Sequence, residues 1–373
     1  MGTMDELIDP GVVRALTNSL TAASSSFSGR ALGEVEGELQ DQRLRDRVDL
    51  VRDALIADVP GGFADIWQLV TRALKHVDFS GWMIWPVTEA VSRTALTSGS
   101  VHDFDKGMEL LAQLTPRLSS EFAVRDLLNA RPARALETMT AWVTDGDAHV
   151  RRLATEGSRA YLPWARRVPW LIENPRATRA ILDATYRDPS EYVRRSAANH
   201  LNDLSRVDPA AVTATAAGWA ASPDANTAWV MRHGLRTLLK RADPTALSLV
   251  GFVGSDLTVS TPEVEEQMLP WGGSLAFTAR ISNQGTSEAL VAIDYGIGFV
   301  RANGALSEKV FKLAVKRVAP GETVDISKKH SFREITTRSY YPGEHSVTIQ
   351  ANGVQSAPAR FVLGSRIPSE GEK

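Results

Sequence analysis

Residues 149–162 read HVRRLATEGSRAYL, residues 192–204 read YVRRSAANHLNDL and residues 229–239 read WVMRHGLRTLL. Aligned on Val150, Val193 and Val230, the three stretches stand 43 and 37 residues apart, and a helix of AWV or ATY character precedes the first two. A spacing of about 40 residues for a pair of helices is the period of HEAT and armadillo repeats, in which each pair buries its apolar stripe against its neighbours. This part of the chain therefore reads as an α-helical HEAT-like repeat solenoid.

Outward from the repeat the same grammar runs from about residue 4 to 250. Ala, Leu and Arg are abundant, apolar residues recur three and four apart, and Asp-Pro, Ser-Pro and Asn-Pro pairs punctuate the helices. After about 255 the grammar changes. LTVSTPEV, SLAFTARISN, ALVAIDYGIGF, FKLAVKRV, ETVDISKKHSF and HSVTIQANG alternate or run apolar between Gly, Asn and Pro. Six or seven short strands in that space suit a C-terminal all-β immunoglobulin-like sandwich. The expected domains are 1–250 (helical), 255–364 (sandwich) and 365–373 (a flexible tail).

The 373 residues hold 42 Lys+Arg against 44 Asp+Glu and no cysteine. Disulfides, thiolate metal sites and cysteine nucleophiles are excluded. The N-terminus is acidic and lacks a secretory apolar run, and no stretch approaches the ~20 apolar residues of a spanning helix. A cytoplasmic protein without membrane contact is expected. A net charge of −2 argues mildly against a nucleic-acid partner, unless the basic residues gather on one face.

The repeat helices place them so. At about 100° per residue from each valine, Arg152, Glu156 and Arg159 fall roughly opposite the packing stripe of Val150, Leu153, Ala154 and Gly157. Arg195, Asn199 and Asn202 take the same three positions in the second helix, and Arg232 and Arg236 repeat the first two in the third. Stacking the repeats aligns Arg152, Arg195 and Arg232 in one exposed column, suited to tracking phosphates or to lying as solvated surface. Glu156, flanked by Arg152 and Arg159, reads as a salt-bridged carboxylate or a functional one. Glu121 follows Ser119-Ser120 at an apparent helix start, with Arg125 as a possible partner, and Asp203 lies between groove and core. His149, His200 and His233 take unequal positions, so no metal site is expected. The tryptophans at 82, 85, 142, 164, 170 and 219 suit core or groove lining. No phosphate loop, nucleophile elbow or H-E-x-x-H is present.

Three ordered strings, SSEFAVRDLLNARP (119–132), HVRRLATEGSRAYLPWA (149–165) and YVRRSAANHLNDLSR (192–206), with GWMIWPVTEAV (81–91), resemble the AlkC branch of the alkylpurine DNA glycosylases built from HEAT-like repeats. The resemblance is dense over roughly 60–245, and part of that branch carries a C-terminal immunoglobulin-like domain. It implies hydrolysis of the N-glycosidic bond of N3-methyladenine and N3-methylcytosine without flipping the base, with no cofactor and no metal. By the same resemblance Glu121, Glu156 and Asp203 are catalytic. Arg152, Arg159, Arg194 or Arg195, and Trp164 with Pro163, face the DNA, and Arg232 extends the column. Ala160-Tyr161 departs from the more basic pair expected there. The implied partner is double-stranded DNA containing alkylated bases, bound by a monomer. The rival readings are a non-catalytic HEAT-repeat scaffold that binds a protein and one that binds damaged DNA.

Overall fold

The computed structural model describes residues 4–252, 256–336 and 338–365; most of the expected tail, 366–373, lies outside them. The chain divides into two compact units, Met1–Gly234 and Leu235–Lys373.

The first unit is helical throughout. Its Asp-Pro pairs start helices for a local reason: Asp9 and Asp208 accept hydrogen bonds from the third backbone N–H onward, and Pro10 and Pro209 occupy the first turn, where no N–H is needed. The three repeat stretches become the helices Ala148–Gly157, Glu191–Leu204 and Thr227–Gly234. Val150, Leu153, Ala154 and Gly157 are buried, as are Val193 and Val230, so the packing stripe is the one the periodicity indicates. The second of these helices packs against both others.

The first arginine of each VRR has a structural role that repeats. Arg151 Nη1 donates to the carbonyls of Asp145 (3.0 Å) and Gly146 (3.2 Å), and Arg194 Nη1 donates to those of Asp188 (2.6 Å) and Pro189 (2.9 Å). Each guanidinium thus reaches back five and six residues and fastens the turn ahead of its own helix. Arg151 also forms a part-buried pair with Asp188, tying one repeat to the next.

The second unit begins earlier than the composition indicates. The short helices Arg236–Lys240 and Pro244–Leu249, expected in the helical domain, belong to it. The reason is packing: a Cβ added at Gly353 would lie 3.3 Å from Ala242 and 3.6 Å from Leu247. The repeat helix that begins at Thr227 ends at Gly234, so Arg236, expected at the position of Glu156 on that helix, lies on the next short helix instead.

Among the described residues ten strands follow: β1 (Leu257–Val259), β2 (Glu263–Val264), β3 (Met268–Leu269), β4 (Ser274–Asn283), β5 (Ala289–Val300), β6 (Leu306–Val318), β7 (Thr323–Ser331), β8 (Gly343–Ala351), β9 (Val354–Gln355) and β10 (Ala359–Leu363). All six segments fall on strands, LTVSTPEV on both β1 and β2 and the other five on β4 to β8, while β3, β9 and β10 are additional. One sheet runs β1-β4-β2 with β7 on β4, the other β3-β10-β8-β5-β6 with β9 on β8. All pairs are antiparallel except β10 with β3. Alternate residues of β4 and β8 point inward, and Phe277, Ile281, Ile297, Ile349 and Phe361 fill the space between the sheets. This is the immunoglobulin-like sandwich.

Candidate active site

The helix Ala148–Gly157 carries Glu156 on its last turn, and Ser158 ends it. That end corrects the helical projection. Glu156 and Arg159 are only 6% and 7% exposed, and neither lies on a solvated face. Arg159 stands past the helix end, where its backbone turns and the side chain crosses to the second repeat helix. Its Nη1 donates to Glu156 Oε1 (2.6 Å) and its Nε to Asp203 Oδ2 (2.8 Å).

Glu156 is held on both oxygens. Arg152 Nη2 lies 3.5 Å from Oε1, and the Ser196 hydroxyl donates to Oε2 (2.6 Å). Ser196 in turn lies 2.5 Å from Thr155 Oγ1. Burial alone pushes the Glu156 carboxyl up, but Arg152, Arg159 and the Ser196 bond outweigh it, and the group sits below the usual glutamate range. Asp203 goes the other way. Its burial, at 4% exposed, outweighs the Arg159 bond and holds its pKa above the usual aspartate value.

Arg152 joins a third carboxylate to these two. It pairs with Glu121 Oε2, donates to Ser119 Oγ (2.8 Å), and lays its guanidinium over the Tyr192 ring, 5.1 Å from the centroid. The Ser119 hydroxyl donates to the same Glu121 oxygen (2.8 Å). Arg125, the partner considered for Glu121 from sequence, is buried elsewhere. Its guanidinium donates to the carbonyls of Gly157 (3.0 Å), Arg159 (2.7 Å) and Arg166 (2.6 Å). Burial, with Arg159 nearby, lowers its pKa to about 10, so it remains a cation at neutral pH.

Glu121, Glu156 and Arg159 face a cleft of about 360 Å³ whose other walls include Trp82, Trp85, Phe122, Pro163 and Trp164. Trp85 stacks on Phe122 (4.7 Å between centroids) and donates from Nε1 to Glu89. Trp164 is 80% exposed and its φ is +62°. A left-handed backbone costs a residue with a Cβ about 1–2 kcal/mol, so the loop holds an indole in solvent and pays conformational strain at the same residue. Such strain gathers where a site needs a fixed geometry.

The structure thus unites Glu121, Arg152, Glu156, Arg159 and Trp164, with Asp203 attached through Arg159 and absent from the cleft lining. It leaves the others apart. Arg195 is exposed and pairs with Glu191, Arg194 fastens its own turn, and Arg232 is exposed on the third repeat helix. The histidines do not converge. His200 is fully buried between Thr155 O and Thr178 Oγ1, His233 meets Asn199, and His149 meets Tyr192. Because a carbonyl only accepts, His200 carries its proton on Nδ1, and burial lowers its pKa to about 3. Ser196 was missed from sequence, since no local pattern marks a serine that meets a carboxylate 40 residues away, and Ser119, read only as part of a helix start, donates to Glu121 two residues on.

A solenoid of HEAT-like repeats with a carboxylate cleft at a repeat helix, followed by an immunoglobulin-like sandwich, defines the class of this protein. Residues 258–365 match the family described as "Uncharacterised protein YhaZ, C-terminal Ig-like domain". The chain is 31% identical over 311 residues to "Uncharacterized protein YhaZ" of Bacillus subtilis (strain 168), covering 83% of this chain and 84% of YhaZ. It superposes with a TM-score of 0.84 and 29% identity on the Pseudomonas fluorescens alkylpurine DNA glycosylase AlkC bound to DNA containing an abasic site analog, over 98% of this chain and 100% of that one. The chain belongs to the YhaZ family and is of the AlkC type among HEAT-like repeat proteins.

Proposed function

We propose that this chain is a monofunctional DNA glycosylase of base excision repair. It hydrolyses the N-glycosidic bond of cationic N3-alkylated bases, N3-methyladenine and N3-methylcytosine, in duplex DNA. The likeness to AlkC supports alkylpurine glycosylase activity and DNA binding. The observation that carries the reading is Glu156, a buried carboxylate held ionised at a cleft lined in part by Trp82, Trp85, Phe122 and Trp164, which Glu121 also faces.

The substrate base is already a cation, so it leaves without further protonation. The C1′–N bond breaks, its electron pair goes to the base, and positive charge grows on the deoxyribose. An ionised carboxylate near C1′ stabilises that oxocarbenium-like state, and a neighbouring carboxylate orients water and takes its proton as the C1′–O bond forms. Glu156 and Glu121 fill these two roles. Asp203 holds Arg159, and Arg159 holds Glu156, so Asp203 is a positioning residue for the first carboxylate. Trp164 and its Pro163 neighbour press on the DNA from the cleft rim, and the sugar is reached from the groove without extruding the base. The protein acts as a monomer in the cytoplasm, and the chemistry needs neither metal nor organic cofactor.

One observation favours a second reading, a damage-binding scaffold without turnover: both Glu156 oxygens already have partners, as in a structural ion pair. Base release separates the two. Incubated with methylated duplex DNA, the wild type is expected to liberate free N3-methyladenine, and Glu156→Gln to bind the same DNA but release it at least about 100-fold more slowly. Binding without release by either protein hands the site to the scaffold reading. Release by both keeps the enzyme and moves the chemistry to Glu121.

A further inference from the structure

Tyr161 stands where a basic residue was expected, and two arginines converge on its ring. The guanidinium carbons of Arg167 and Arg206 lie over it at 4.6 Å and 4.9 Å from the centroid. The two charges come from different elements, the loop that follows the first repeat helix and the turn that follows the second. They stand within roughly one Debye length of each other, about 10 Å. Both residues are exposed, and among the described residues neither joins an ion pair. Arg206 bears on the carboxylate of Asp203, three residues before it, which is already bound by Arg159.

Two uncompensated cations held together repel, and the face of one tyrosine offsets only part of that repulsion. An anion between them removes the rest. Planar guanidiniums match the oxygens of a phosphodiester through paired N–H donors. The place is also specific: Tyr161 directly precedes Leu162, Pro163 and Trp164, three residues of the cleft wall. Arg206 ends the turn that begins at Asp203. Arg167 therefore springs from the loop that builds the cleft wall, and Arg206 from the turn after Asp203, which binds the cleft residue Arg159.

We infer that Tyr161, Arg167 and Arg206 form a phosphate clamp that holds one backbone phosphodiester of the DNA strand beside the cleft, and so sets which sugar faces Glu156. The positive charge that the Ala160-Tyr161 pair lacks is supplied by these two arginines on an aromatic platform. The inference rests on the DNA-binding reading above and assigns one contact within it.

The test uses the full-length protein and a set of lesion-bearing duplexes in which one phosphate at a time is made a neutral methylphosphonate. For the wild type, one or two adjacent positions near the lesion are expected to weaken binding about three- to tenfold. Arg167→Gln with Arg206→Gln should lose sensitivity at that position alone and keep the rest of the profile. The salt slope should fall by about one for each arginine removed. Tyr161→Leu keeps both charges and should blunt the same position partially. A double variant with the wild-type profile and slope overturns the clamp, while inorganic phosphate that binds the wild type and competes with DNA at equal concentration overturns its assignment to the strand. If the wild type binds no DNA, the underlying reading fails instead, and the clamp with it. All three side chains are at least partly exposed, so matched thermal unfolding curves check that the variants fold.

Discussion

At the scale of the residue, the site turns on two carboxylates whose environments push them apart. Glu156 is held below the ordinary glutamate value of 4.5, and Asp203 is held above the ordinary aspartate value of 3.8. The position of the acid limb therefore bears on which one carries the reaction. A group with a depressed folded pKa stays ionised as pH falls through its unfolded value and is lost only below it. If Glu156 is the working carboxylate, single-turnover base release holds down through pH 4.5, and its acid limb lies beneath that. If Asp203 is, the limb lies above pH 3.8, so a limb above pH 4.5 assigns the reaction to Asp203 and one below pH 3.8 assigns it to Glu156. Ser196→Ala sharpens the comparison. It deletes the hydroxyl donating to Glu156 Oε2, worth about 1.5–3 kcal/mol for a bond to a charged group, and should move the limb upward while slowing release about tenfold. A merely structural Ser196 would lower thermal stability and leave the limb where it was.

At the scale of the element, the loop from Ser158 to Val168 joins the carboxylate cleft to the helical scaffold. Arg125 fastens it at Gly157, Arg159 and Arg166, and Asn129 adds a bond to Arg167 O (3.1 Å). The helix that feeds it is equally constrained. A Cβ at Gly157 would meet Val124 Cγ1 at 2.7 Å and Met139 Cε at 3.2 Å, so Gly157→Ala is expected to cost about 1–3 kcal/mol by overpacking. Because Gly157 follows Glu156 directly, release should slow more than stability alone accounts for. Denaturant unfolding alongside base release measures both, and a variant with unchanged rate below its midpoint would show that the helix position is not critical. The sequence made the packing stripe legible here, because Val150, Leu153, Ala154 and Gly157 obey a local period. It also placed Glu156 beside Arg152 and Arg159. It misjudged their burial because a helical projection continues a helix that stops at Gly157, and because the partners that meet the charges, Ser196, Asp203 and Glu121, come from other helices or turns. The left-handed Trp164 was equally invisible, since nothing in Leu162-Pro163-Trp164-Ala165 demands a positive φ.

At the scale of the whole molecule, a net charge of −2 means that any affinity for a polyanion must come from local charge. The sandwich offers such a distribution. β6 and β7 lie at the edges of their sheets, and Lys309, Lys312, Lys328 and Lys329 are exposed on them. Edge lysines have a second explanation, because charge on an unpaired strand prevents pairing with another chain. Lys312 also has a local counter-charge, since it faces Asp294 across the β5–β6 pair. Charge reversal separates the explanations, because glutamate blocks edge pairing as well as lysine does. Exchanging Lys309, Lys328 and Lys329 together for glutamate leaves edge protection intact and removes any attraction to phosphates. We expect the triple variant to stay monodisperse and to bind duplex DNA more weakly. Its log affinity against log salt should be flatter by about one for each lysine that contacts a phosphate. Titrations at several salt concentrations, by fluorescence anisotropy on the full chain, provide the slope. An unchanged slope with unchanged solubility would make the lysines edge protection alone and confine the DNA-binding charge to the helical unit.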